Sequence, residues 1–176
     1  MRELKPEQEG TALTKETRLA LVSVSQAFGE APPRSTPVVC FRGPEGSTDL
    51  VAATWFTWLN LKRQPMLSFS LNREIGMGGT LESDDILYLA FPSAKDASPY
   101  EKGVRTAAPG KEKPLPDGVE LGRFAGVPLP LPVRARIILR CTLAGAYNYP
   151  FRKVRIYNCN LVEALKADVP GDAPVP

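Results

Sequence analysis

The segment Asn72–Thr80 (NREIGMGGT) brings together the residue types that hold a phosphate group. The glycines of Gly76–Gly79 permit positive φ and close backbone approach, and successive amides at the start of a helix form a nest for anions. Arg73 can donate two parallel hydrogen bonds to phosphate oxygens. The pattern suggests a Gly-rich loop that enters a short helix at about Thr80. On composition alone, a flexible surface turn is the stronger interpretation, because the segment has neither GxxxxGK[ST] nor GxGxxG spacing.

A second segment, Ala52–Thr57 (AATWFT), sets small residues beside aromatic ones. Such a strand can line a flat slot for a ring system, with the hydroxyls of Thr54 and Thr57 donating to ring or phosphate oxygens. The alternative is a core strand in which Trp55 and Phe56 only fill volume. Taken by itself, the pattern favours the core strand.

The chain contains no histidine, which limits the chemistry its side chains can perform. Histidine-ligated zinc, Ser-His and Cys-His nucleophile pairs and a histidine base are excluded within the chain. The three cysteines form no CxxC; Cys40 and Cys141 lie in apolar runs, and we interpret them as small buried side chains in a reducing cytoplasm. We predict no metal site, and no catalytic residue is assigned. A bound cofactor that carries the hard chemistry suits such a chain.

The elements that must position these residues are mostly short strands. A length of 176 residues, 43% hydrophobic and 23% charged, corresponds to one globular domain. The predicted strands are Pro37–Arg42, Leu50–Thr57, Met66–Leu71, Ile86–Phe91, Val133–Tyr147 and Lys153–Lys166. Short strands joined by turns predict a mainly β protein, a closed or partly closed antiparallel β-barrel with a few short helices.

The remaining segments are predicted to lie outside this barrel. Residues 1–36 form an N-terminal extension and Pro-rich connector, of which Met1–Gly10 is polar; Thr11–Phe28 fits either a helix capped by Thr14 or a strand at Arg18–Val24. Residues 92–132 contain eight prolines and are expected to form an excursion or lid rather than core, and 167–176 form a polar tail. The chain shows neither a signal peptide nor an apolar run of membrane-spanning length, so we expect a cytoplasmic protein without a membrane partner.

The order of these motifs resembles that of a known family. In chain order, the motifs are the strand Pro37–Arg42, Asp49–Thr57, Pro65–Leu71, Arg73, Thr80, Gly122–Val127 and Leu139–Cys141. This order resembles the flavin reductase-like family of FMN-binding split barrels, which includes flavoredoxin, over Pro37–Lys166. The resemblance implies a six-stranded antiparallel split β-barrel and a homodimer with FMN near the subunit interface. It also implies electron transfer between NAD(P)H, flavin and an acceptor.

The resemblance also implies which residues hold the cofactor. Ala52–Thr57 matches the strand that lines the flavin ring and ribityl chain, Ser68–Ser70 matches the next strand, and Arg73 with Thr80 matches the phosphate-binding positions. Together with the glycine nest, the expected cofactor-binding residues are Ala52, Ala53, Thr54, Trp55, Phe56, Thr57, Ser68, Phe69, Ser70, Arg73, Gly78, Gly79 and Thr80. Many members carry a Gly-Asp-His turn on the nicotinamide or substrate side. Here that turn is Gly145–Pro150 (GAYNYP), without His or Asp.

Three functions fit this sequence. The first is an FMN-dependent oxidoreductase or electron carrier, with NAD(P)H as the candidate donor. The second is a flavin-binding module without turnover, a carrier or sensor. The third is a small β-barrel that binds nucleic acid, which the dispersed basic residues and a net charge of only +3 disfavour. The aromatic residues that would stack on bases lie in apolar surroundings typical of a core; they are Trp55, Phe56, Trp58 and Phe69.

We also expect a homodimer, because a split barrel leaves sheet edges that a partner must cover. The aromatic Trp58, beside Leu59 and Leu61, could supply an apolar contact for that partner.

The phosphate assignment can be tested by comparing two flavins. Arg73→Ala removes a charge-assisted contact of roughly 1.5–3 kcal/mol, so FMN affinity should fall about ten- to a hundredfold. Thr80→Val keeps the side-chain shape and should cost less, roughly 0.5–1.5 kcal/mol. Riboflavin has no phosphate, so its binding should barely change in either variant. Flavin fluorescence titration measures both ligands, and equal losses for the two would remove Arg73 and Thr80 from the site.

Overall fold

The computed structural model describes residues 17–31, 35–75, 81–108, 111, 114–150 and 153–168. Its strands are β1 (Leu19–Leu21), β2 (Val38–Arg42), β3 (Thr48–Ala52), β4 (Trp55–Asn60), β5 (Met66–Asn72), β6 (Ile86–Phe91), β7 (Val104–Arg105), β8 (Leu121–Gly122), β9 (Leu131–Pro132), β10 (Ile137–Asn148) and β11 (Val154–Ala167). The helices are α1 (Val24–Glu30) and α2 (Ala94–Ala97), with single 3-10 turns elsewhere. Within these ranges no helix has both the length and the apolar character needed to cross a membrane.

One large antiparallel sheet forms the barrel. Its strand order is β4-β5-β11-β10-β6-β2-β3-β7, with β1 also pairing with β11, while β8 and β9 form a separate pair. The long strands β10 and β11 pair along most of their length and connect the two halves of the sheet. The predicted mainly β, antiparallel split barrel is confirmed, although the sheet in the described ranges has nine strands rather than six.

The barrel interior is filled by one face of each strand. Alternate residues of β10 from Ile137 to Leu143 point inward and are buried, as expected for a strand with one face in the core. Phe56 lies at the centre, edge-on to Phe91 with ring centroids 5.0 Å apart and to Trp58 at 5.8 Å. Cys141 and Cys159 are buried here and Cys40 in a second core, so the prediction of small buried cysteine side chains is confirmed.

The excursion between β6 and β10 builds the second core on the outside of the sheet. Tyr100, Phe124 and Leu131 are almost fully buried and pack with outward-facing residues of β2, β3 and β6. The expectation of a lid rather than core for residues 92–132 is therefore wrong. Because nearly every residue of β2, β3 and β6 is buried, both faces of these strands need an apolar cover, and the excursion supplies the outer one.

The N-terminal segment contains both elements that the sequence left open. Residues Leu19–Leu21 form β1 and Val24–Glu30 form α1, capped by a Ser23–Gln26 capping box; the predicted cap Thr14 and the segment Met1–Gly10 lie outside the described residues. Trp58 is 9% exposed, and its Nε1–H donates to the Ala31 carbonyl at 2.9 Å. The expectation that Trp58 is an exposed apolar contact for a partner is wrong, because α1 and the chain that follows it cover this ring.

Two predicted boundaries also differ from the structure. Leu50–Thr57 is two strands rather than one, because β3 pairs with β2 and β7 whereas β4 pairs with β5. The break falls at Ala53 and Thr54, whose amides donate to Pro37 at 2.8 Å and to Ser70 at 2.9 Å. The prediction of a helix that starts at about Thr80 is wrong for residues 81–85, which form a turn instead. In this turn the Glu82 amide donates to Asp85 Oδ2 at 2.8 Å. Thr80 itself lies outside the described residues.

An ion pair between a buried carboxylate and a half-exposed arginine ties β3 to β7. The Asp49 side chain is fully buried, and Arg105 donates to it from Nε at 3.0 Å and from Nη2 at 3.2 Å. The space around the carboxylate is tight: a Cβ at Gly43 would lie 2.8 Å from Asp49 Oδ1. Burial raises the pKa of Asp49, and the hydrogen bond and charge of Arg105 act in the opposite direction.

We predict that Arg105→Met lowers the free energy of unfolding by about 2–3 kcal/mol at neutral pH, since it leaves a buried carboxylate without its partner. Removing Arg105 also moves the folded-state pKa of Asp49 further above its unfolded value of about 3.9. A protein that holds a carboxyl with a raised folded-state pKa becomes less stable as pH rises above the unfolded-state pKa. The stability loss caused by Arg105→Met should therefore grow from about pH 4 to pH 7.

Urea unfolding at several pH values measures this dependence. Arg134→Met is the matched control, because the side chain of Arg134 is 66% exposed and its pair with Asp96 should contribute about 0–1 kcal/mol. A loss for Arg105→Met that is the same at both ends of the pH range would contradict the role assigned to Asp49.

Candidate functional site

The predicted site residues meet on the outer face of β4, β5 and β11. Trp55 lies opposite Ser70 and Thr57 opposite Ser68 in the β4–β5 ladder. In the β5–β11 ladder, Ser70 lies opposite Ile156 and Ser68 opposite Asn158. Directly opposed residues share one face of a sheet, so these side chains form a single surface outside the barrel. The residues of this outer face are Trp55, Thr57, Ser68, Ser70, Ile156 and Asn158.

A pair of hydroxyls marks the point where β3 ends and β4 begins. Thr54 Oγ1 lies 2.8 Å from Ser70 Oγ and also donates to the Ser70 carbonyl oxygen at 3.2 Å. Ser68 and Ser70 are buried although they are polar, and Ser68 Oγ donates to the Tyr157 carbonyl oxygen at 3.2 Å. Because each hydroxyl can donate one hydrogen bond and accept others, the Thr54–Ser70 pair can also bind a polyhydroxylated ligand.

Arg73 follows β5 directly and lies in a 3-10 turn. Its amide donates to the Lys153 carbonyl oxygen at 2.8 Å, which holds the turn against the start of β11. The neighbouring Glu74 pairs with Lys153 Nζ and raises the pKa of that lysine. In the described part of the chain no carboxylate pairs with the Arg73 guanidinium, so its donors are available to an anion.

The other predicted site residues are placed differently. Phe56 and Phe69 are fully buried inside the barrel, and Phe69 stacks on Tyr157 with centroids 5.2 Å apart, so only the backbone of these positions can contact a ligand. Ala52 and Ala53 are buried in the two cores. Gly78, Gly79 and Thr80 lie outside the described residues.

The burial of these aromatic residues also bears on nucleic-acid binding. Of the four aromatic residues that such a barrel would stack on bases, Trp55 is 43% exposed, whereas Phe56, Trp58 and Phe69 are buried. A stacking platform needs several exposed rings, and these strands present one.

Sequence reasoning missed the contribution of β11 to this surface. Asn158 lies opposite Ser68, and the Arg155 guanidinium lies 5.6 Å from the ring centroid of Tyr157. The alternation of polar Asn158 and Asn160 with buried Tyr157 and Cys159 is a signal that could have been found in the sequence. The sequence does not show, however, which strand lies beside Asn158 and Asn160; that is known only from the β5–β11 pairing.

The described part of this site can bind and orient a ligand but has no group that titrates near neutral pH. Burial raises the pKa of Tyr157, with Arg155 acting in the opposite direction, and burial raises the pKa of Cys159 to about 12. The outer face defined above carries hydroxyls, an amide and an indole, which donate and accept hydrogen bonds without changing charge. Electron-transfer chemistry at this face would therefore have to come from a bound cofactor.

Comparison with known proteins identifies the architecture. No family model matches the sequence, and no curated protein is a significant match. Among solved structures, the FMN-binding domain of a flavin reductases-like enzyme from Shewanella baltica OS155 superposes with a TM-score of 0.54 and 19% identity, over 86% of this chain and 78% of that one. This chain has the flavin reductase-like split-barrel fold.

Further split barrels are similar to the same degree. The NADH:FAD oxidoreductase of Streptomyces globisporus C-1027 gives a TM-score of 0.54 at 18% identity, over 81% of this chain and 80% of that one. The flavin reductase HpaC, solved in complex with NADP+, gives 0.51 at 14% identity, over 80% and 83%. At these identities the likeness shows the fold alone.

The Thr54–Ser70 pair generates a stability prediction. Thr54→Val and Ser70→Ala should each lower the free energy of unfolding by about 0.5–1.5 kcal/mol, and the double variant should lose less than the sum, because both changes remove the same hydrogen bond. Thr57→Val is the control, since the Thr57 hydroxyl only approaches the Trp58 carbonyl oxygen at 3.5 Å. Urea denaturation provides the values, and additive losses would show that the two hydroxyls do not interact.

Proposed function

We propose that this protein binds FMN on the outer face of β4, β5 and β11 and acts as a flavin reductase-like oxidoreductase, moving electrons between NAD(P)H, the flavin and an acceptor. One observation carries the proposal, and it is made in a chain with the flavin reductase-like split-barrel fold. The Thr54–Ser70 hydroxyl pair lies at the same end of β5 as the Arg73 guanidinium, and no described carboxylate pairs with that guanidinium.

The residues present fit the parts of FMN. Arg73 offers parallel donors to the phosphate, and Glu74 does not compete for it because Glu74 is paired with Lys153. The hydroxyls of Thr54 and Ser70 can exchange hydrogen bonds with the ribityl chain. Trp55, with 43% of its surface exposed, offers a flat apolar contact for the ring system.

In this arrangement the chain binds and orients, and FMN when bound supplies the hydride and single-electron chemistry. Ser68 and Ser70 are held rigidly because β5 is paired on both sides, with β4 and with β11. A face held between two ladders keeps its hydroxyls in place before a ligand arrives, which reduces the ordering cost of binding.

We further propose a homodimer in the cytoplasm. Strand β4 lies at one end of the sheet order, so one of its edges is open to pairing or cover. Leu59 and Leu61, at and just beyond the end of this strand, are 52% and 40% exposed and can supply the apolar contact. The three cysteines are free thiols, as is usual for a protein in a reducing compartment.

A flavin titration followed by reduction tests the function. We expect the purified protein to bind FMN at one per chain and more tightly than riboflavin, and NADH or NADPH added without oxygen to bleach the yellow flavin band. Binding without bleaching by either nucleotide, with dithionite still reducing the flavin, would support the flavin-binding module instead of the reductase. Failure to bind FMN, or equal affinity for riboflavin, would contradict the proposed site.

The dimer generates its own prediction. Wild-type protein should scatter light as a particle of about twice 19.2 kDa, and the double substitution Leu59→Lys and Leu61→Lys should shift it towards the monomer, because charges at an apolar interface are costly. Val133→Lys is the control, since Val133 is 39% exposed and follows β9, which belongs to the separate β8–β9 pair and not to the large sheet. A wild-type monomer at micromolar concentration would contradict the proposal.

A further inference from the structure

A cavity of about 550 Å³ lies between the excursion and the outer face of β2, β6 and β10. The excursion side is apolar and includes Phe124 and Leu129, to which Ile86 adds an exposed edge. The sheet side is polar and carries Arg42, Tyr88 and Arg140. A concave site of this size, mostly apolar with a few convergent polar groups, is typical of sites for small organic molecules.

The positive charges at this cavity exceed the acceptors around them. Arg140 Nη1 donates to Glu163 Oε1 at 3.1 Å, but its Nε is buried and has no acceptor in the described ranges. Arg42 forms no hydrogen bond or ion pair through its side chain with any described residue. A buried donor without an acceptor is uncommon in native proteins, and the arginine that carries it also lines the cavity.

The approach to the cavity is basic as well. A larger cavity of about 940 Å³ adjoins it and shares Arg42 and Leu129 as lining residues. Arg123 and Lys111 line this outer space, and among the described residues the Lys111 ammonium group pairs only with the exposed Glu45, 3.8 Å away. Like charges along a cleft raise the local concentration of ligands of opposite charge.

We propose that this cavity binds an organic anion whose carboxylate or phosphate group lies between Arg42 and Arg140. The apolar body of the ligand packs against Phe124, Leu129 and Ile86, and the Tyr88 hydroxyl is within the same wall to orient it. Two guanidinium groups against the single carboxylate of Glu163 leave a net positive site that matches such a ligand.

This site is separate from the proposed flavin face. Arg140 lies opposite Glu163 on β11, whereas Ser68 lies opposite Asn158 on the same strand. The strand spacing and rise place the two about 15–20 Å apart over the sheet. Binding at the cavity therefore does not rest on the flavin proposal.

Two fluorescent probes that differ in charge test the proposal. 8-Anilinonaphthalene-1-sulfonate carries the sulfonate anion on an aromatic body, and N-phenyl-1-naphthylamine is its neutral counterpart. Isothermal titration should give one sulfonate probe per chain. Arg42→Gln and Arg140→Gln should each weaken its binding about tenfold, with less than about a twofold change for the neutral probe. Ile86→Glu, at a position 46% exposed, should also weaken the anionic probe selectively.

Lys102→Gln is the matched control, because it removes an exposed positive charge that does not line the cavity and should leave both probes unchanged. The proposal is overturned by no binding to the wild type, by equal losses for both probes, or by no loss in either arginine variant. If Arg140→Gln fails to fold, Arg42→Gln and Ile86→Glu decide the matter, since both of those positions are exposed.

Discussion

The antiparallel pairing of β10 with β11 is the interaction on which the rest of the barrel depends. β5 and β1 pair with β11, β6 pairs with β10, and β4 and β2 join the same sheet through β5 and β6. Irregular register at Arg140/Cys141 and at Leu143/Gly145 lets this long hairpin bend while it stays paired. Without it, the sheet would separate into two parts, β4-β5-β11 and β10-β6-β2-β3-β7, with no backbone hydrogen bonds of the sheet joining them.

The candidate site follows from the same constraint. The hairpin holds β3 and β4 on different parts of the sheet, so the chain must leave one ladder and enter another at Ala53–Thr54. At that crossing the Thr54 amide and hydroxyl both bond to Ser70, which brings protic groups to the outer face of β5. Functional groups thus gather where the topology forces the backbone to change partners.

Local pattern was enough to predict the fold class and most strands, and the predicted Ile86–Phe91 coincides with β6. It could not divide Leu50–Thr57, because the break depends on which strands lie beside each half. Likewise, the sequence alone does not show whether an aromatic side chain points into the core or to the surface. Trp58 and Trp55 therefore look alike in sequence, although Trp58 is buried under α1 and Trp55 is exposed. The position of Asn158 on the site surface could not be predicted, because it depends on pairing with Ser68, which is distant in the sequence.

The excursion that covers β2, β3 and β6 has a consequence for how this sequence can diverge. Those strands are buried on both sides, so a polar replacement at almost any of their positions meets one of two cores. In β11, by contrast, buried and accessible residues are mixed along the strand, and the accessible positions outside the proposed flavin face and the Arg140 pair can change freely. Tolerance to mutation is therefore distributed across the width of the sheet, so that relatives should differ most on the β11 side and least beneath the excursion.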